Sequence, residues 1–158
     1  MPARPCSQKQ LSSPQSLSVA ILAGGKARRL EEVLPGIPKA LAEINGRPFL
    51  IYLMDLLLNF GAKNVLLCTG SRGELIEKSF GNCYKDLTLS YSRENVPLGT
   101  GGALRLGLKD LHSEYVLVIN GDSYIKESLA YFLEAFSSRE ETAGMLVVKV
   151  QDTSPYGA

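Results

Sequence analysis

The sequence predicts an α/β fold with a mostly parallel sheet. Two observations carry this. Short apolar runs alternate with stretches of helical spacing from Leu17 onward, as in repeated strand–helix–strand units. The runs LSVAILA and KNVLLCTG are almost continuously hydrophobic, as strands covered on both faces are, and YVLVINGD is a further apolar run. The chain has 158 residues, enough for one domain that buries roughly 70% of its unfolded surface without disulfide or metal staples.

The elements follow in order. Residues 1–16, MPARPCSQKQLSSPQS, are rich in Pro, Ser and Gln and predict a mobile tail, leaving 17–158 as the domain. LSVAILA predicts a central strand that ends in Gly24-Gly25. ALAEI, residues 40–44, alternates as a strand before the turn NGRP. PFLIYLMDLLLNFG predicts a helix with Pro48 at its start and Gly61 as its stop. KNVLLCTG is a second buried strand, GELIEKSFG a short helix closed by Gly81, and LTLSYS an alternating strand. GTGGALRLGLKDL opens on glycines and becomes an amphipathic helix. YVLVINGD is a strand, KESLAYFLEAFSSR a helix, and AGMLVVKV a last strand, with no closing helix after it. There is no internal repeat.

Composition excludes several function classes. Hydrophobic residues make up 45% and charged residues 21%, and 17 basic against 16 acidic residues leave a net charge of +1. Such a balance exerts no global pull on nucleic acid or anionic membranes, so an anion site must come from local clustering. The three cysteines, Cys6, Cys68 and Cys83, form no Cys-x-x-Cys, and His112 is the only histidine, so no zinc site is expected. An odd, scattered cysteine set suits a reducing compartment. No apolar run reaches the ~18 residues of a membrane span, and the N-terminus lacks a signal-peptide core. These features predict a cytoplasmic protein with neither membrane nor nucleic-acid partners. The apolar run PFLIYLMDLLLNF would suit an interface in a homo-oligomer, and core burial accounts for it equally.

Ligands of open α/β sheets bind beyond the carboxyl ends of the strands. Three unusual sequences fall there. Gly24-Gly25 lets backbone N–H groups approach an anion, with Arg29 able to offer a planar fork and Lys39 a point charge to phosphate oxygens. The spacing matches neither a Walker A loop nor a dinucleotide fingerprint, and a tight turn with a solvated basic loop explains it equally well. Gly99, Thr100, Gly101 and Gly102 open a helix and leave its N–H groups free for a phosphate or a flat base; simple capping is the stronger account of this stretch alone. Asp122 follows a strand through Gly121 and suits Mg²⁺, which takes one or two carboxylates with substrate phosphates; an Asx-turn is the equal alternative. No Ser/His/Asp or Cys/His set is visible. The coincidence of the three sites is stronger than any one of them.

Together, LAGG…RL…P…PKAL, NGRPFLIYLMDLL, PLGTGGAL and VINGD resemble the sugar-1-phosphate nucleotidyltransferases from Val19 to about Gly157, and within them most the D-glycero-D-manno-heptose 1-phosphate guanylyltransferases. The resemblance implies a Rossmann-like, three-layer α/β/α fold. It implies transfer of a nucleotide from a nucleoside triphosphate, GTP by this likeness, to a sugar 1-phosphate such as the heptose phosphate, with Mg²⁺ as cofactor and pyrophosphate released. It implies that Leu22, Ala23, Gly24 and Gly25 line the nucleotide, that Arg29 holds the leaving pyrophosphate and that Lys39 contacts phosphates around the reacting phosphorus. Gly99, Thr100, Gly101 and Gly102 would lie near base and sugar, and Asp122 would ligate the metal.

The sequence departs from the family at two points. The usual loop, Gly-Gly-x-Gly-Thr-Arg-Leu, reads GGKARRL here, with Ala27 and Arg28 at the glycine and threonine. The family also continues past the motif seen as Tyr156-Gly157, so the resemblance implies a C-terminally short chain. A nucleotide-binding or interaction domain without turnover is the rival expectation, and a relative using mannose 1-phosphate, or CTP, UTP or dTTP, is the other.

Overall fold

The structure, a computed structural model, describes residues 17–25 and 35–151. The predicted tail, the loop bearing Arg29, Ala27 and Arg28, and the Tyr156-Gly157 motif lie outside the described residues.

Five strands form the main sheet: β1 (Ser18–Ala23), β4 (Asn64–Thr69), β5 (Cys83–Tyr84), β6 (Leu87–Arg93) and β7 (Val116–Asn120). Their order is β5-β6-β4-β1-β7. β1 lies between β4 and β7 and is parallel to both, β4 is parallel to β6, and only the two-residue β5 runs antiparallel. In register, Leu22 sits beside Cys68 on one side and Asn120 on the other. The carboxyl ends of β1, β4 and β7 therefore align at one edge.

Helices cover both faces. Side chains alternate along a strand, and β1 divides accordingly. Val19 and Ile21 join Val65 and Leu67 against α1 (Phe49–Phe60), whose Leu50, Leu53, Met54 and Leu57 are fully buried. Ile76 of α2 (Gly73–Phe80) and Leu129 of α4 (Leu129–Ser137) join the same cluster. Ala20, Leu66 and Cys68 face the other way, under Ala103 and Leu104 of α3 (Gly99–Gly107). The result is the expected three-layer arrangement with a mostly parallel sheet. The apolar run of α1 faces the core. Pro48 precedes that helix, and Gly61 ends it in a left-handed conformation, φ +92°.

Three elements differ from expectation. The strand expected over 40–44 is largely a single 3₁₀ turn, Lys39–Leu41, closed by hydrogen bonds from Leu41 N to Pro38 O and from Ala42 N to Lys39 O. Only Glu43–Ile44 (β2) is extended, and it pairs with Arg47–Pro48 (β3) across Asn45-Gly46, both at positive φ. The last helix begins at Leu129 after Ser128, three residues later than its sequence pattern. AGMLVVKV, residues 143–150, forms no strand, and Met145, Val147 and Val148 are 82%, 73% and 82% exposed. β-propensity stabilises a strand only through a neighbour that pairs its backbone and covers its side chains, and none of the described strands lies beside this segment.

Candidate active site at the carboxyl edge of the sheet

Glycines close the sheet's carboxyl edge. A Cβ on Gly70, just past β4, would lie 2.7 Å from the carbonyl oxygen of Gly24, and one on Gly121, just past β7, would lie 2.7 Å from that of Leu22. Both contacts are with backbone and cannot be relieved by a rotamer change. A hydrogen bond from Gly121 N to Leu22 O, 2.9 Å, holds the ends of β1 and β7 together. Only glycine permits this approach, and it brings Gly24 and Asp122 to one rim.

A cleft of about 550 Å³ opens above this edge. Leu22, Ala23, Gly24 and Gly25 form its floor with Asn120 and Gly121. Gly99, Thr100 and Ala103 of α3 form one wall, and Lys39 and Asp122 face each other at another. Of the predicted residues, Leu22 to Gly25, Lys39, Gly99, Thr100 and Asp122 thus share one cavity. Gly101 and Gly102 lie on the first turns of α3 but not in its lining. Gly102 serves packing, because a Cβ there would meet Leu98 Cβ at 2.5 Å, whereas one on Gly101 would meet nothing within 4 Å. Arg29 lies outside the described residues.

Lys39 reaches the cleft because its neighbours are anchored. Pro38 and Ala40 are buried on either side, and the 3₁₀ turn fixes the backbone between them. Its Nζ donates to Asp122 Oδ2 at 2.7 Å, across 83 residues of sequence. Ser123 Oγ donates to Asp122 Oδ1 at 3.2 Å. The Lys39 hydrogen bond holds the Asp122 carboxyl below its ordinary pKa, against partial burial that pushes it up. Asp122 is therefore an anion at neutral pH, partnered by a cation on a flexible stem.

α3 starts at Gly99, φ +71°, and its free N–H groups and positive dipole end abut the cleft. The turn before it reveals a residue that the sequence did not single out. Glu94, just past β6, is 8% exposed and lines the cleft. Its Oε2 accepts from Leu98 N at 3.0 Å, and its Oε1 would lie 3.1 Å from a Cβ on Gly24. A Cβ on Gly24 would also lie 3.1 Å from Gly70 N and 3.3 Å from Thr69 C, so glycine there lets both the backbone after β4 and the Glu94 carboxyl group stand close to the end of β1. Cys68, expected as a buried hydrophobe, is buried and also touches the cleft; burial pushes its thiol pKa up to about 11.

The nucleotidyl transferase family model matches residues 18–158. The chain belongs to this family. It is 35% identical over 141 residues to D-glycero-alpha-D-manno-heptose 1-phosphate guanylyltransferase of Aneurinibacillus thermoaerophilus, covering 89% of this chain and 61% of that relative. The enzyme of the same name from Campylobacter jejuni is 36% identical over 114 residues, 72% of this chain and 51% of the relative. Among solved structures, HddC from Yersinia pseudotuberculosis complexed with GMP-PN superposes with a TM-score of 0.67 at 36% identity, covering 75% of this chain and 53% of that one. The nucleotidyl transferase chain described here thus spans about half to three fifths of the length of these relatives.

Proposed function

We propose that the chain binds a nucleoside triphosphate, GTP by preference, and takes part in its transfer as a nucleotide to a sugar 1-phosphate, the heptose phosphate of its relatives being the first candidate. The observation that carries this reading is the convergence of Lys39, Asp122 and the N-terminus of α3 on one glycine-floored cleft. Backbone N–H groups, an ammonium and a helix dipole together suit a polyphosphate.

The reaction needs no protein nucleophile. An oxygen of the sugar phosphate attacks the α-phosphorus, a new P–O bond forms, and the bond to the bridging oxygen of pyrophosphate breaks on the opposite side. Catalysis then consists of alignment and charge neutralisation. Lys39 bears on phosphate oxygens around the reacting phosphorus, Gly24 and Gly25 fix the backbone against the triphosphate, and Arg29 is assigned to the leaving pyrophosphate from the sequence motif. Asp122 suits Mg²⁺. Mg²⁺ is bound through one or two carboxylates combined with substrate phosphates, and Asp122 would supply one of them. Bound there, Mg²⁺ would neutralise charge building on the triphosphate.

Glu94 supports guanine. A carboxylate is an acceptor only. Guanine presents two adjacent donors, N1–H and N2–H, on its Watson–Crick edge, where cytosine, uracil and thymine set donors beside acceptors. Oε2 accepts from Leu98 N, Oε1 lies beside Gly24, and Glu94 is among the residues that line the cleft.

The test is titration with GTP and Mg²⁺, followed by assay of pyrophosphate release with heptose 1-phosphate and mannose 1-phosphate. Binding with release supports the transferase reading. Binding without release selects the rival, a nucleotide-binding domain that does not turn over, which the departures at Ala27 and Arg28 favour. No binding by a folded chain refutes the nucleotide-site reading and leaves a degenerate interaction domain as the alternative.

A further inference from the structure

Both oxygens of Asp122 accept hydrogen bonds, Oδ2 from the Lys39 ammonium at 2.7 Å and Oδ1 from Ser123 Oγ at 3.2 Å. A divalent cation seeking this carboxylate meets a positive charge already seated on it. The pair is no rigid brace. Its side chains are 50% and 44% exposed, and pairs so placed hold by only a few-fold in equilibrium constant. The backbone of Lys39 is fixed by buried Pro38 and Ala40, while its four-carbon stem can swing into the cleft that Lys39 and Asp122 line.

We infer that Lys39 is a place-holding cation, which occupies Asp122 until a triphosphate draws it away and so admits a divalent cation to that carboxylate only together with nucleotide. This rests on the nucleotide-site reading above. A triphosphate offers the ammonium several charged oxygens and a larger total negative charge instead of one half-exposed carboxylate. Transfer of Lys39 to the phosphates frees Oδ2 and removes a like charge from the metal's position in one movement. By reciprocity, nucleotide raises metal affinity and metal raises nucleotide affinity by the same factor. A lone carboxylate otherwise holds Mg²⁺ poorly, so the two ligands arrive as a unit.

The test titrates Mn²⁺, without nucleotide, into wild type, Lys39→Met, Lys39→Arg, Asp122→Asn and the Lys39→Met/Asp122→Asn double variant, reading free Mn²⁺ by electron paramagnetic resonance. Circular dichroism checks that each is folded. Lys39→Met should bind Mn²⁺ about tenfold or more tightly than wild type, through loss of both competition and repulsion. Lys39→Arg, which keeps the charge, should resemble wild type, and Asp122→Asn should abolish the gain. Equal Mn²⁺ affinity in wild type and Lys39→Met, a gain in Lys39→Arg, or a gain that survives Asp122→Asn overturns the inference. GTP titrated in EDTA separates the two levels. GTP binding with no Mn²⁺ difference overturns the place-holding role alone, whereas no GTP binding by any variant, with or without Mn²⁺, overturns the nucleotide-site reading beneath it.

Discussion

Gly121→Ala perturbs the point where β7 hands the chain to Asp122. The added methyl would lie 2.7 Å from Leu22 O and 3.2 Å from Ala23 Cα, where ordinary Cβ contacts begin at 3.4 Å. Both neighbours are backbone of the central strand, so the ends of β1 and β7 must separate by several tenths of an ångström. The Gly121 N to Leu22 O hydrogen bond, 2.9 Å, spans the same point and must lengthen. Overpacking against a fixed backbone costs about 1–3 kcal/mol. Asp122 moves with its neighbour, and a shift of that size at a phosphate site lowers nucleotide affinity or turnover by roughly tenfold, given that ~1 Å can cost ~10². Urea unfolding gives the stability change at constant slope, and calorimetry gives the affinity for GTP with Mg²⁺. A variant within about 0.5 kcal/mol of wild type, the usual range for surface changes, with unchanged GTP affinity would refute the claim that close strand approach builds the site.

Three further outcomes are expected. Gly101→Ala meets no atom within 4 Å and lies inside α3, so it should leave stability unchanged or raise it by up to ~1 kcal/mol; lower GTP affinity in the same variant would show that a ligand lies against that turn. Glu94→Gln replaces an acceptor-only group by one that also donates, and it should cost GTP about tenfold or more in affinity while sparing CTP and UTP, as ~1–3 kcal/mol of base discrimination implies. Asp55→Asn tests the polar cluster that ties the β2–β3 hairpin to α1. Burial pushes the Asp55 carboxyl up in pKa, but hydrogen bonds from Lys85, Tyr84 and Arg47 outweigh it and hold the value below normal. A depressed folded pKa contributes stability above the unfolded value, near 4, and loses it as pH falls through the folded one. The wild-type advantage over Asp55→Asn in Tm should therefore be full at pH 7 and shrink below about pH 4; an advantage independent of pH would contradict the ionic account.

Much of the fold was legible because burial on two sides leaves a strong trace. The continuous apolar runs of β1 and β4, and the Pro48-to-Gly61 helix, fall where the pattern puts them; β7 does so too, although as the edge of the described sheet it leaves Val118 39% exposed. Elements whose form depends on a pairing partner rather than on their own pattern were not legible. AGMLVVKV has the residues of a strand and no described strand to pair with. Cys83–Tyr84 is too short to show alternation and becomes β5 only by pairing with Leu87 and Thr88. At the site, glycines and Asp122 declared themselves by position after strands. Glu94 did not, because SRENVP reads as a solvated polar loop; only the fold shows it buried against Gly24. The Lys39–Asp122 contact is likewise a property of topology, joining residues 83 apart.

The central claim is a triphosphate site with a guanine preference, and the most direct test is calorimetric titration of the chain with GTP, CTP, UTP and dTTP, each with Mg²⁺, repeated on Asp122→Asn and Glu94→Gln. The account predicts that GTP binds most tightly, that Asp122→Asn weakens all four nucleotides in the presence of Mg²⁺, and that Glu94→Gln weakens GTP selectively. Equal affinity for all four bases, or no binding at all by a folded chain, would contradict it.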